Sequence, residues 1–476
     1  MFAKLRTTSA PKSLPIARPG RRILGLGFDG APIFEPKASH SLLMAAAGGG
    51  KTTCGALPWL LSMLADHSRS VVVMDSKDGE IAAQVAPLCA AQGRKVAILD
   101  DFAVLGDANP YRISLAPFGG LMAAHARADG ELVFASDSAN HALIEEPPND
   151  ARNQYWRDEP RTILEYAQAT MLSRNPRLAI PGGIWSLIAN PELLLAAAKI
   201  DIEEGDETLA TLARHVLEMR GNEEHFPQHR AAALKSLRIF GAGSPLHRAG
   251  ADADVTHLDL LTGHSIVFLV GPQRHMERLG AYYALHLQSF MDAILSGKAG
   301  AVELILDEFT NAPLKELVSR LTTMRGYGGR CHMIAQSRSE VQRKYGEKET
   351  LTIEENALVK QWFGFSSFDE AERVSKAMGE TQHVTGTLGL NSSGEDFSSN
   401  YQTGRERLFT ADELMRLPAD EQIIHVKDVG FIHARKIRQN EIAPYCFELG
   451  DNPLEGARLE PDPKVELTSG NMREAV

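Results

Sequence analysis

The stretch MAAAGGGKTTCGALPWLL, residues 44–61, constrains this chain more than any other. Its run of three consecutive glycines lets successive backbone N–H groups curl around an anion, a lysine follows to meet β/γ-phosphates, and a hydroxyl follows to meet Mg²⁺. Ala45, Gly50, Lys51 and Thr52 occupy the four defining positions of such a phosphate loop; Ala45 replaces the usual first glycine. Gly48, Gly49 and Gly50 still supply the backbone freedom that a tight loop needs. The expected cradle is Ala47, Gly48, Gly49, Gly50, Lys51, Thr52 and Thr53. The flanks run in the required order: HSLLM (40–44) reads as the end of a buried strand, and TTCGALPWLLSMLADH has helical periodicity with Pro58 near its first turns. A ligand-free bend between two apolar elements is the competing reading, and the rest of the chain bears on it.

Upstream, ILGLGFDGAPIFEP reads as a hairpin leading into that strand. Downstream, SVVVMDS (70–76) and KVAILDD (95–101) are apolar runs ending in carboxylates, separated by the helical EIAAQVAPLCAAQG. Such runs are strands buried on both faces of a parallel sheet, whose C-terminal ends present ligand-binding groups. From about residue 120 to 256 the pattern changes to helix-length segments rich in Ala, Leu, Glu and Arg, such as ETLATLARHVLEMR. Strands return with SIVFLVG (265–271), VELILDE (302–308) and RCHMIAQS (330–337). The fold class is therefore α/β, a P-loop nucleotide-binding domain with an inserted all-α domain. The expected divisions are a basic disordered tail (1–22), the two parts of the nucleotide-binding domain (23–119 and 257–440), the all-α insertion (120–256) and an acidic, loose C-terminal tail (441–476). GTLGLNSSGEDFSSNYQTG (386–404) reads as an exposed loop.

VELILDEF ends in Asp307 and Glu308 after an apolar strand, which aims the first carboxylate at Mg²⁺ and the second at an attacking water. Alone, the pair fits equally a core strand ending in solvated acids; together with GGGKT it makes one site for ATP and Mg²⁺, with Thr52 and Asp307 on the metal and Lys51 and Glu308 in catalysis. In MRGYGGRCHMIAQS, Gln336 stands at a strand tip, where an amide can bond a γ-phosphate or lytic water; the plain alternative is a capping amide. Arg325 is either a surface arginine or a finger reaching a neighbouring subunit's γ-phosphate. Asp75 and Lys77 in MDSKDGE form a candidate pair beside the loop, against a simple surface ion pair. His225 and His229 are four apart, but Pro227 between them argues against a continuous helix, and no third metal ligand accompanies them.

Composition narrows the class. At 476 residues, 43% hydrophobic and 23% charged, the chain has the make-up of a soluble globular protein of two or three domains. Cys54, Cys89, Cys331 and Cys446 are scattered and include no C-x-x-C pair, so neither a disulfide framework nor a zinc site is suggested, which fits a reducing cytoplasm. No apolar run approaches the roughly 20 residues that span a bilayer, and the start lacks a signal-peptide apolar region. The net charge of −11 disfavours a surface broadly dedicated to nucleic acid, though it says nothing of a narrow channel. The first 22 residues carry six basic and no acidic residues, a solvated tail or a tether to anionic lipid or DNA.

These residues resemble one family. HSLLMAAAGGGKTT, VVVMDSKDGE, DANPYR, ILDEFTNAPLKELVSRLTTMRGYGGRCHMIAQSRSEVQRKYG and RERLFTADELMRLPADEQIIHVKD are similar, in that order, to blocks of the TraG/TraD-type coupling ATPases of bacterial type IV secretion and conjugation, RecA-like motors related to FtsK and HerA. The resemblance runs from about residue 20 to 440. It implies a homo-hexameric ATPase that feeds a relaxase, single-stranded DNA or a protein effector to other type IV secretion components, with the helical insertion receiving cargo. It also implies that Arg325, eleven residues before Gln336, is a trans-acting finger. Most members begin with transmembrane helices; none is expected here, so the expected location is cytoplasmic, peripheral at the inner membrane through partners. An assembly ATPase of the same machinery and a nucleotide-gated scaffold are the alternatives. Glu308 beside Asp307 weighs against the scaffold, which needs only the magnesium carboxylate.

Overall fold

The computed structural model describes residues 21–147, 150–312, 314, 316–390 and 397–467. In chain order the strands of interest are β1 (Ile23–Leu26), β2 (Pro32–Phe34), β3 (Ser41–Met44), β4 (Arg69–Asp75), β5 (Val96–Leu99), β6 (Arg112–Ile113), β7 (Ile266–Val270), β8 (Ala301–Leu306), β9 (Gly329–Ala335), β10 (Val359–Trp362), β11 (Glu380–Leu390), β12 (Phe397–Arg407), β13 (Glu421–Val426) and β14 (Gly430–Arg435). Among the described residues, all of these except β11 and β12 form one twelve-stranded sheet in the order β2-β1-β14-β13-β10-β3-β9-β8-β4-β7-β5-β6. From β10 to β6 every neighbouring pair is parallel. β13, β14, β1 and β2 extend that sheet antiparallel.

The apolar runs become central strands because both faces of the sheet are covered. Alternate residues divide between two cores: Leu42, Met44, Val72, Met74, Val267 and Leu269 in one, Leu43, Val71, Val73, Ile266, Phe268 and Ile334 in the other. The first core takes the buried face of the helix Gly280–Leu295 and continues into the helical insertion. The second takes the helix after the phosphate loop and the helix Glu80–Ala91. A one-residue slip of any central strand would exchange these two sets, so register is strongly specified.

Between β6 and β7 the described residues are helical, from Gly119–Arg127 to His257–Thr262. Side-chain caps set several of these helices: Asn190 accepts from Leu193 N, Asp206 from Leu209 N, and Thr256 forms a capping box with Asp259. Buried Asp201 ties two helices together by accepting from Tyr166 Oη (2.8 Å), Thr170 Oγ1 (2.7 Å) and Arg174.

Four expectations need correction. Residues 441–467 are not a loose tail: Tyr445, Leu449 and Val465 are buried in the second core, and Asn452 donates to Glu80 Oε1 (3.0 Å). Their apolar anchors are too few and too irregularly spaced to show a period. Residues 468–476 lie outside the described residues. Arg22, read as tail, is fully buried, with its guanidinium bonded to Glu35 and Ser41 and 5.0 Å from the Trp59 ring; the remaining expected tail, residues 1–20, lies outside the described residues. The Gly/Ser/Asn-rich stretch is mostly the β11–β12 antiparallel pair, because a hairpin ladder needs only backbone groups and tolerates that composition; residues 391–396 lie outside the described residues. Finally, His225 opens a helix that runs to Ser236, with Pro227 in its first turn, where no helical N–H is lost. Tyr155 Oη lies 3.4 Å from His225 Nδ1 and 3.3 Å from His229 Nε2.

Candidate functional site

The order β3-β9-β8-β4 sets four parallel strand ends side by side, and each is followed by a polar residue singled out by the sequence. After β3, the Ala45 N–H still donates to Ala335 O (3.1 Å), and the chain then turns into the phosphate loop. Gly48 and Gly50 have φ of 73° and 85°, the left-handed region in which a side chain is strained. Lys51 opens the following helix, whose first turn, Lys51–Ala56, is π-wound before continuing as Leu57–Met63. Ala47 and Gly48 are exposed, whereas Lys51 and Thr52 are buried. The loop is fastened from behind by Lys436, which donates to Gly49 O (3.1 Å) and Phe363 O (2.9 Å).

Asp307 and Glu308 follow β8 and are buried. Thr52 Oγ1 donates to Asp307 Oδ2 at 3.3 Å, and Lys77 Nζ donates to the same oxygen at 2.9 Å. Lys51 Nζ lies 2.5 Å from Glu308 Oε1, and Gln336, following β9, donates its amide to that oxygen at 3.3 Å. Glu308 has φ of 55°. A non-glycine residue in that region costs about 1–3 kcal/mol and persists where the surroundings over-determine it, a pattern concentrated at functional sites. Two lysines therefore face two carboxylates at one sheet edge. Burial disfavours the Lys77 ammonium, but Asp307 and Glu308 outweigh it and hold its pKa above the ordinary lysine value.

The structure thus brings Lys51, Thr52, Asp307, Glu308 and Gln336 together. The expected Asp75–Lys77 pair separates: Lys77 turns to Asp307, while Asp75 accepts from the N–H groups of Ile81 (3.0 Å) and Ala82 (2.7 Å) at the start of the next helix. Burial, with Asp307 and Glu80 nearby, pushes the Asp75 carboxyl up to about 8, despite those two donors. Arg325 stands apart. It is exposed on the turn Arg325–Tyr327 that precedes β9, whereas Gln336 follows that strand. Seven strand residues separate the two ends by about 20 Å at roughly 3.3 Å per residue. Within one chain Arg325 does not reach the loop. Lys436 escaped the sequence reading because nothing local marks a lysine 387 positions from the glycine it holds.

Chemically, the edge can hold a polyphosphate and its metal. Among the described residues Asp307 Oδ1 and Glu308 Oε2 are buried with no hydrogen-bond partner, beside the Thr52 hydroxyl and the lysine amines. Unsatisfied buried carboxylate oxygens are costly, and a divalent cation and a bound water are the groups they suit.

Sheet, loop and strand-end carboxylates define a RecA-like P-loop nucleotide-binding protein with a helical insertion. Residues 8–120 match the family "Type IV secretory system Conjugative DNA transfer", and residues 301–419 match "TraM recognition site of TraD and TraG". The two matches flank the insertion and carry the phosphate loop and the Asp307–Gln336 block respectively, so both parts of the nucleotide-binding domain are similar to TraG/TraD-type coupling proteins. No curated protein sequence matches it. In fold it is similar to the bacterial conjugative coupling protein TrwB, unbound (TM-score 0.62, 16% identity, 90% of this chain and 89% of that one) and in complex with a non-hydrolysable ATP analogue (0.62, 16%, 90% and 96%). It is also similar to VirB4 of Thermoanaerobacter pseudethanolicus (0.50, 14%, 91% and 99%). Among the described residues no helix is long and apolar enough to cross a membrane.

Proposed function

We propose that this chain is a coupling protein that hydrolyses ATP to drive transfer of a relaxase, its single-stranded DNA or a protein effector into a type IV secretion channel. It works as a homo-hexameric ring held peripherally at the inner membrane by partners. The observation that supports this reading is the convergence of Lys51, Thr52, Asp307, Glu308 and Gln336 on one edge of the sheet.

In this reading the backbone N–H groups of Ala47–Thr53 and the Lys51 amine hold the phosphates, and Thr52 and Asp307 hold Mg²⁺. Bound Mg²⁺ supplies charge neutralisation between the phosphates. Glu308 holds the attacking water and takes its proton, and Gln336, already hydrogen-bonded to Glu308, orients that water. Lys51 and Lys77 balance the two carboxylates, so Lys51 exchanges Glu308 for phosphate when nucleotide arrives. Arg325 serves the neighbouring subunit's site.

Two substitutions test this. Lys51→Ala is expected to lose nucleotide affinity, since a phosphate contact is removed; Glu308→Gln is expected to bind ATP and fail to turn it over. Wild-type turnover by Glu308→Gln, followed by phosphate release with and without single-stranded DNA, refutes the assignment of the base.

A further inference from the structure

A hollow of about 310 Å³ opens between the helix Glu347–Asn356, the helix Phe368–Met378 and the strands β10, β13 and β14. Its walls include Leu351, Trp362, Val374 and Phe431, and its floor carries Lys360 and His425. These two stand directly opposite each other in the antiparallel β10–β13 pair. Among the described residues the Lys360 amine has neither a hydrogen bond nor an ion pair, and His425 Nδ1 is buried without a partner. The apolar wall is continuous: His425 lies against Phe431 at 4.6 Å between ring centroids, and Phe431 stacks on Trp362 at 6.3 Å.

The acids around the hollow do not satisfy that floor. Glu354 is engaged by Arg338 (2.9 Å) and Arg373 (3.1 Å), and Glu355 is exposed at the rim, so both act on Lys360 only as charges at a distance. Burial pushes the Lys360 amine below the ordinary lysine range, with Arg373 and Lys427 adding to it. A desolvated amine and an unbonded imidazole nitrogen within aromatic and aliphatic walls suit one anionic group on an apolar body. The helix Glu347–Asn356 carries the exposed carboxylates Glu347, Glu349 and Glu355, which disfavour a polyanion such as DNA.

We propose that this hollow docks a partner polypeptide through a single carboxylate set between Lys360 and His425, with an adjoining apolar side chain resting on Trp362 and Phe431. The inference deepens the coupling reading by giving the chemistry of one partner contact. It also has a route to the nucleotide: Trp362 pairs with Met44 at the end of β3, and Phe363 O shares the Lys436 amine with Gly49 O of the phosphate loop.

The test uses the full chain and needs no ATP turnover, so its failure leaves the motor reading untouched. Reductive methylation of Lys360, quantified by peptide mass spectrometry against exposed Lys298, is followed with 3-phenylpropionate, its amide, or a 20-mer of thymidylate as the added ligand. The carboxylate is expected to protect Lys360 by the factor 1 + [ligand]/Kd, about tenfold at nine times Kd, and the amide and the oligonucleotide are not. Absent protection, equal protection by the amide, or protection by the oligonucleotide overturns the proposal. Two hexapeptides then separate the sources: one with a free C-terminal Ala-Leu, one amidated with an internal Glu-Leu. Protection by either supports the proposal and identifies the carboxylate, whereas protection by neither overturns the polypeptide partner. Lys360→Met, shown to be folded by its thermal transition, is expected to lose peptide binding measured by fluorescence anisotropy; unchanged affinity also overturns it.

Discussion

Arg325 offers the most demanding test of the ring. Its turn and Gln336 lie at opposite ends of β9, about 20 Å apart at 3.3 Å per strand residue, so any contribution to hydrolysis must reach a neighbour's loop. Arg325→Ala is expected to bind ATP normally and to lose turnover by about 10³ to 10⁵, the worth of an arginine finger. Lys51→Ala is equally inactive for the opposite reason: it keeps the finger and loses the phosphate contact. Mixing the two rebuilds sites. In closed rings of equal parts, about one interface in four, half times half, sets an intact loop against an intact finger. The mixture is then expected to recover roughly a quarter of wild-type turnover from two inactive parents, if sites fire independently. The assay is steady-state phosphate release on rings whose mixed composition is verified by native mass measurement. Mixed rings with no activity above either parent refute the trans assignment and leave Arg325 a local structural residue.

Other outcomes follow from particular contacts. Lys436→Met removes both bonds that fasten the loop to Phe363 and is expected to weaken ATP binding about tenfold, the scale of a lost charged hydrogen bond, in a direct titration; unaltered affinity would show that the loop holds its shape unaided. Asp75 carries a pH dependence of stability. Its folded pKa of about 8 lies above the unfolded value of 3.8, so its contribution is full below the unfolded value and is lost as pH rises through about 8. Asp75→Asn, which keeps an acceptor for Ile81 and Ala82, is expected to flatten that decline in thermal melts between pH 4 and pH 8 on the scale of the two pKa values; parallel profiles for the two proteins would remove Asp75 as the cause. Asp201→Ala leaves the buried Tyr166 and Thr170 hydroxyls, and the half-exposed Arg174, without their shared acceptor and is expected to cost the insertion about 1–3 kcal/mol, seen as early hydrogen exchange in the helices around it.

The parts of the site legible in the sequence are those that chemistry confines to a short stretch. The glycines before Lys51 and the acids after VELIL each announce a strand end, because loop geometry and metal ligation need those residue types within a few positions. What the sequence left out depends on which strands become neighbours. Lys77 meets Asp307 and not Asp75 because β4 lies beside β8, and Lys436 reaches Gly49 because residues after β14 pass under the loop. The same limit hid the docking of residues 441–467: Ile442, Tyr445, Leu449 and Val465, set among prolines and acids, have no period, yet all four are buried in the second core with the helix Glu80–Ala91. The hairpin β11–β12 was misread for a different reason, since Gly, Ser and Asn report loop preference and a ladder of backbone bonds overrides it.

β9 is locked between β3 and β8 by parallel ladders along most of its length and has no room to bend in a close-packed interior. One end of it leads to the amide that touches Glu308, and the other begins at the turn bearing Arg325. Pairing on both sides holds the two ends of such a strand at a fixed separation. In a ring, a displacement that begins when one chain's phosphate edge fills or empties would arrive, undiminished and without any hinge, at the arginine offered to the next chain. The order in which chains fire would then be written into the length of a single strand, and changing that length by a residue would put adjacent chains out of step while leaving each one's grip on nucleotide intact.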